Sequence, residues 1–116
     1  MSARPTVSTV ITTFDRPDGL RRALASVAAQ PGAGHEVVVV NDAGPDVTGL
    51  VAETAALLPV RLITLPANRG LAAARKAGIA AARGEFVAFC DDDDVWLPSH
   101  LPTALAGLGA GDVDVV

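Results

Sequence analysis

Residues 68–94, NRGLAAARKAGIAAARGEFVAFCDDDD, decide the fold. An alanine-rich stretch from about Gly70 to Ala82 carries Arg75 and Lys76 and closes on Arg83-Gly84, a helix with a glycine stop. Glu85–Cys90 follows as a short apolar run of strand type, and it ends abruptly in four carboxylates, Asp91, Asp92, Asp93 and Asp94. A helix that feeds at once into a buried-type strand is half of a β-α-β unit. Four adjacent acids repel one another, and desolvating them beside an apolar run is costly unless a cation or hydrogen-bond donors compensate. A divalent metal is the simplest compensation.

Upstream, the same alternation repeats. Strand-like runs occupy Val7–Thr12, Glu36–Val40 and Val60–Leu65, and each is followed by a helical pattern. The first helix should open near Pro17, with Asp15 upstream as its cap, and run through Leu20, Leu24 and Val27 to about Gln30, where Pro31-Gly32 ends it. The second, about Thr48 to Leu58, places Leu50, Val51, Ala55 and Leu58 on one face before Pro59. A weaker helix is expected after Pro98, to about Leu108, and a fifth strand over Asp112–Val116. This order predicts an α/β domain with a mostly parallel sheet, helices on both faces and right-handed crossovers. The terminal strand has no cap or following helix, so an incomplete sheet is expected to leave an edge open. That edge could be completed by further chain or by another copy in a homo-oligomer.

Composition bounds the function. With 116 residues the chain is one domain, residues 1–116, long enough to bury roughly two-thirds of its unfolded surface. Half of it is apolar but only 3% is aromatic, which predicts an aliphatic core packed through small side chains. A net charge of -4 argues against nucleic acid as a partner, which would need clustered Lys and Arg. No run approaches the ~18 apolar residues of a membrane span, and MSARPT lacks the apolar core of a signal peptide, so a cytoplasmic protein is expected. Cys90 excludes an intrachain disulfide and reads as a small apolar strand residue, while His35 and His100 read as surface histidines and Trp96 as a packing anchor.

In an open parallel sheet, ligands bind at the carboxyl ends of the strands. Here those ends carry Thr12-Thr13-Phe14-Asp15-Arg16, Asn41-Asp42-Ala43-Gly44, Ala67-Asn68-Arg69-Gly70 and the four acids, which should converge on one rim. Singly, the first three are compatible with ordinary turns, and Arg75 with a solvated helix charge. The acids are not so easily dismissed, because they join a buried-looking strand to the apolar turn Val95-Trp96-Leu97-Pro98. Carboxylate oxygens suit Mg2+ or Mn2+, and the lack of a Cys or His cluster argues against zinc. The chain has no G-x-x-x-x-G-K-[ST] loop and no G-x-G-x-x-G after the first strand, so it lacks the phosphate cradles of P-loop and dinucleotide-binding proteins.

With these features in order, the chain resembles the N-terminal half of family 2 glycosyltransferases of the GT-A fold, whose nucleotide-binding half is Rossmann-like. VSTVITTFDRPDGLRRALASV resembles the family's opening strand, nucleotide loop and first helix. EVVVVNDAG resembles V-V-D-D-G-S, and residues 68–94 resemble N-x-G-x-x-x-A-R-N-x-G followed by the strand into D-x-D-D. The resemblance implies a donor site for a UDP-, dTDP- or GDP-sugar. Thr13, Phe14, Asp15, Asn68 and Gly70 would line the nucleotide, Asp42 would accept a base N–H, and Arg75 would lie by the base or the phosphate path. It also implies Mn2+ or Mg2+ on Asp93, with Asp91 on sugar or metal, Asp92 at the variable position between them as a spacer within the donor-binding set, and Asp94 as the acid that follows. Asn41, Ala43-Gly44 and Lys76 depart from the family's Asp, Gly-Ser and Asn.

Sugar transfer also requires an acceptor hydroxyl to lose its proton, and the family uses a carboxylate well downstream of D-x-D for this. After Asp94 this chain offers only Asp112 and Asp114, within a strand-like run. No catalytic base is therefore visible, it is expected beyond Val116, and the acceptor is unspecified. The chain alone is expected to bind donor and metal with little or no transfer. Two alternatives compete: a non-catalytic nucleotide- and metal-binding module acting with a partner chain, and a nucleotidyltransferase, for which TTFDRPDG is a poor phosphate loop.

Overall fold

The computed structural model describes residues 7–30 and 34–92. Within them the order is β1 (Val7–Thr13), α1 (Pro17–Ala28), β2 (His35–Asn41), α2 (Thr48–Ala55), β3 (Val60–Thr64), α3 (Leu71–Ala81) and β4 (Phe86–Asp91). The strands form one sheet in the order β3-β2-β1-β4, and all three pairings are parallel. The α/β architecture with a parallel sheet is as expected. The helix expected after Pro98 and the strand over Asp112–Val116 lie outside the described residues, as do Trp96 and His100.

Strand alternation divides the core. Val7 and Ile11 of β1, with Val37, Val39 and Cys90, pack against Leu20, Ala23, Leu24 and Val27 of α1 and Val51 of α2. On the other face Val10, Val38, Val40 and Val87 pack against Ala74 of α3. Helices therefore cover both faces. The i, i+3, i+4, i+7 spacing of the α1 set is the stripe that a sheet-packed helix needs, and burying Leu20 and Leu24 contributes about 1.5–3 kcal/mol each. Helix α3 uses small residues instead. At Gly78 a Cβ would run into the Val10 methyls, so the helix lies directly on β1 and carries Arg75 close to the strand ends.

Element ends depart from expectation for local reasons. Helix α2 stops at Ala55 rather than Leu58; Leu57 N and Leu58 N both donate to Thr54 O, and the residue before Pro59 is disfavoured in helical geometry. Ala55 is exposed, and Thr54 takes the buried place beside Val51. Asp15 does not cap α1. Arg16 holds the cap position and its side chain makes no capping bond, Pro17 contributes no N–H to satisfy, and Asp15 is exposed with φ 53°. Strand β4 runs one residue later than expected, so Asp91 is its last member. His35 is half-buried rather than a surface residue: Nδ1 is buried without a hydrogen-bond partner, and burial pushes the imidazole pKa down.

A polar cluster at the amino end of the sheet fixes where β4 begins. The Ser8 hydroxyl donates to Glu36 Oε2 at 2.6 Å, Arg83 N donates to the same oxygen at 2.8 Å, and Arg61 Nη2 reaches Oε1 at 2.9 Å. Gly84 N donates to Ser8 Oγ at 2.8 Å. Burial alone would raise the Glu36 carboxyl, but the bonds from Ser8, the Arg83 N–H and Arg61 outweigh it and hold the pKa below the ordinary value. Four chain segments, from β1, β2, β3 and the α3–β4 turn, are tied through one carboxylate. This pins the register in which β4 delivers its acids to the opposite end.

Candidate functional site

From β1 the chain moves outward to β2 and β3, then returns to the other side of β1 as β4. The switch point therefore falls between the carboxyl ends of β1 and β4. A cavity of about 300 Å³ opens there, and Thr12, Thr13, Phe14, Asp42, Asp91 and Asp92 contribute to its wall.

The two described acids part company. Side chains alternate faces at a strand end, so Asp91 turns toward α3 and Asp92 toward α1. Asp91 Oδ1 accepts from Thr12 Oγ1 at 3.3 Å and pairs with Arg75 Nη2 at 3.3 Å. Asp92 is buried; its Oδ2 accepts from Thr13 Oγ1 at 3.0 Å and from Phe14 N at 3.2 Å. Gly19 of α1 abuts the Asp92 carbonyl so closely that no Cβ would fit. Asp92, expected as a spacer, instead fixes the β1–α1 loop against the end of β4.

Asp42 is buried and does comparable work between β2 and α3. Its carboxylate accepts Arg69 N and Gly70 N, one on each oxygen, both at 2.9 Å, and its own N–H donates to Thr13 O at 2.9 Å. Gly70 has φ 88° with open space around its absent Cβ, so glycine is required there by backbone conformation alone. Asn41 shapes the neighbouring turn. Its Oδ1 accepts Gly44 N at 2.9 Å while its Nδ2 donates to Pro45 O at 2.9 Å, a double role that an aspartate could not fill. That is a physical reason for one departure from the family pattern.

Arg75 lies over the Phe89 ring, 5.1 Å from its centre, and touches Asp91 through one nitrogen, while its Nε is buried with no hydrogen-bond partner. Phe14 and Leu71 are exposed apolar side chains on the cavity wall. Of the residues expected to form the site, Thr13, Phe14, Asp42, Asp91 and Asp92 come together on this cavity. Gly70 borders it through Asp42, and Arg75 joins it through Asp91. Asp15 and Asn68 are exposed and do not contribute to the wall, and Asp93 and Asp94 lie outside the described residues. Thr12 and Arg16, expected at this rim only as members of the first loop, line the wall themselves, and Leu71 joins them unexpectedly. Thr12 could have been found from its place in register with Asp91, whereas Leu71 carried no signal beyond following Gly70.

No group of three His, Cys, Asp or Glu side chains that could hold a metal forms among the described residues. The chemistry of Asp91 nevertheless suits one: a carboxylate opening on the cavity and already facing a cationic group, with the hard oxygens that Mg2+ and Mn2+ prefer. No described helix is long and apolar enough to cross a membrane.

A parallel sheet with polar loops gathered at its switch point is the nucleotide-binding architecture of the GT-A fold, and comparison with known proteins places the chain within it. The sequence signature of glycosyl transferase family 2 matches residues 8–116, and the chain belongs to that family. It is 42% identical over 97 residues to the succinoglycan biosynthesis protein ExoO of Rhizobium meliloti, a match covering 84% of this chain and 28% of ExoO. Among solved structures, S. aureus TarS 1-349 in complex with UDP-GlcNAc superposes with a TM-score of 0.80 at 29% identity, over 90% of this chain and 31% of that one. The mannosyltransferase PcManGT from Pyrobaculum calidifontis, in complex with GDP-Man and Mn2+, gives 0.78 at 31% identity, over 90% and 32%. The chain spans about a third of the length of the relatives it matches.

Proposed function

We propose that the described residues build the donor side of a sugar-transfer site, binding a nucleotide diphosphate sugar with Mn2+ or Mg2+ so that the sugar passes to an acceptor hydroxyl. The observation that carries this is the convergence of the β1, β2 and β4 ends on one cavity with an apolar rim and a carboxylate floor. The complexes of TarS with UDP-GlcNAc and of PcManGT with GDP-Man and Mn2+, both of this fold, support it.

In this reading Phe14 and Leu71 offer flat and aliphatic surface to a base, and Asp42 has lone pairs beyond its two backbone bonds with which to accept a base N–H. Asp92 and Thr13 hold the loop that carries Phe14. Asp91 and Asp93 would hold the divalent ion, while Asp15 and Asn68 would take part only from the rim. When bound, the ion supplies positive charge against the negative charge that develops on the departing diphosphate. The base for the acceptor hydroxyl lies outside the described residues: Asp91 is committed to a cation and Asp92 to two donors of its own chain.

Calorimetric titration with UDP, GDP and dTDP, each with and without Mn2+, tests the proposal. At least one nucleotide should bind more tightly with the metal, and Asp93→Ala should abolish that increment. Binding of none of the three, or an increment that survives Asp93→Ala, would refute it.

A further inference from the structure

The contact between Arg75 and Asp91 is poorly made for a structural ion pair. One guanidinium nitrogen approaches both carboxylate oxygens, at 3.3 and 3.4 Å, instead of the parallel two-nitrogen fork at about 2.8 Å that arginine forms when a carboxylate is its settled partner. Nε is buried without an acceptor, a costly state for a charged donor group. The Arg75 and Asp91 side chains keep 38% and 32% of their exposure, so solvent and solutes reach both. The Phe89 ring meanwhile supports the guanidinium from below, which steadies the stem while leaving the head able to pivot. Thr12 Oγ1 stays on Asp91 Oδ1 as a second partner that would hold the carboxylate in place if Arg75 left.

We propose that Arg75 is an exchangeable counter-ion: it holds Asp91 in the donor-free site and gives that acid up to take the oxyanion of an arriving nucleotide diphosphate, which couples nucleotide binding to divalent-cation binding. The inference rests on the donor-site reading above and deepens it. Each ligand alone must break the Arg75–Asp91 contact, the cation to reach Asp91 and the diphosphate to recruit Arg75. When both bind, that cost arises once, so each ligand tightens the other, and the tightening is reciprocal. An oxygen of the arriving diphosphate would also satisfy the orphaned Nε, which Asp91 does not.

Arg75→Gln separates the two effects. Mn2+ alone, followed by its electron paramagnetic resonance signal, should bind the variant roughly two- to five-fold more tightly, because a half-exposed ion pair no longer competes for Asp91. UDP, or GDP if that is the nucleotide that binds, should bind it roughly ten-fold or more weakly in the presence of Mn2+. The mirror variant Asp91→Asn should bind the nucleotide without metal more tightly than the wild type, by a similar two- to five-fold factor, since Arg75 is then released. Melting by circular dichroism shows whether each variant is folded, and either variant alone suffices. Mn2+ affinity unchanged or lowered in Arg75→Gln, or metal-free nucleotide affinity unchanged or lowered in Asp91→Asn, would overturn the exchange while leaving the donor-site reading intact. A wild-type protein that binds neither Mn2+ nor nucleotide would overturn both.

Discussion

Replacing Asp42 by asparagine changes one oxygen into an amide, and the consequences can be worked from two distances. Each carboxylate oxygen now receives one backbone N–H at 2.9 Å, from Arg69 and from Gly70. An asparagine oxygen can keep one of them, but as a neutral acceptor, which reduces a bond of about 1.5–3 kcal/mol to about 0.5–1.5 kcal/mol. Its NH2 group then confronts the other N–H donor to donor, and that bond is lost outright. Asp42 is 5% exposed, so water cannot step in cheaply. The sum is a destabilisation of about 3 kcal/mol, large against a domain stability of about 5–15 kcal/mol but not enough to unfold it. Urea unfolding of Asp42→Asn should show that loss with an unchanged slope. Hydrogen exchange should show faster exchange at Arg69 and Gly70 than at the core amides of β2. Exchange at those two amides indistinguishable from wild type would refute the anchoring role, and with it the account of why residues 68–70 stand where they do.

Glu36→Gln tests the cluster at the far end of the sheet. The wild-type carboxyl has a folded pKa held below its ordinary value of 4.5, so its stabilisation is present above that value and is lost as pH falls through the folded one. The stability gap between wild type and Glu36→Gln, read from urea midpoints, should be full at neutral pH and shrink smoothly below pH 4.5; a gap independent of pH would contradict the assignment. Asn41→Asp restores the residue that the family pattern has at this position, yet it should destabilise by about 1–3 kcal/mol. A buried carboxylate cannot donate to Gly44 O and Pro45 O and would repel both. A neutral or stabilising result in thermal unfolding would show that the turn does not depend on those bonds.

The elements were legible because they are local. Runs such as Val37–Val40 and the Leu20, Leu24, Val27 stripe declare strand and helix within a few residues, and the βαβ order then leaves few sheet arrangements to choose from. The candidate site was legible only as a set of loops. Which loop residue does what depends on pairs such as Thr13 with Asp92, 79 residues apart in sequence, and no periodicity reports them. The departures at Asp15 and Asp92 have that origin: Asp15 stands one residue before the cap position and faces solvent, and Asp92 is held by Thr13 and Phe14 across the sheet end.

Those pairs also change what the acidic run means. As four neighbouring charges in sequence, the acids call for a cation together. In the fold Asp91 and Asp92 point to opposite sides of the sheet, and each has donors of its own: an arginine and a threonine for the first, a hydroxyl and a backbone N–H for the second. Repulsion between them is relieved by geometry before any metal arrives. Alternation also explains why a D-x-D spacing suits a strand end, because residues two apart on extended backbone share a face, whereas adjacent acids cannot serve one ion from the same side. The acid that stays buried, Asp92, builds the loop. Asp91 is half-exposed and loosely paired, and it is the acid left available for exchange.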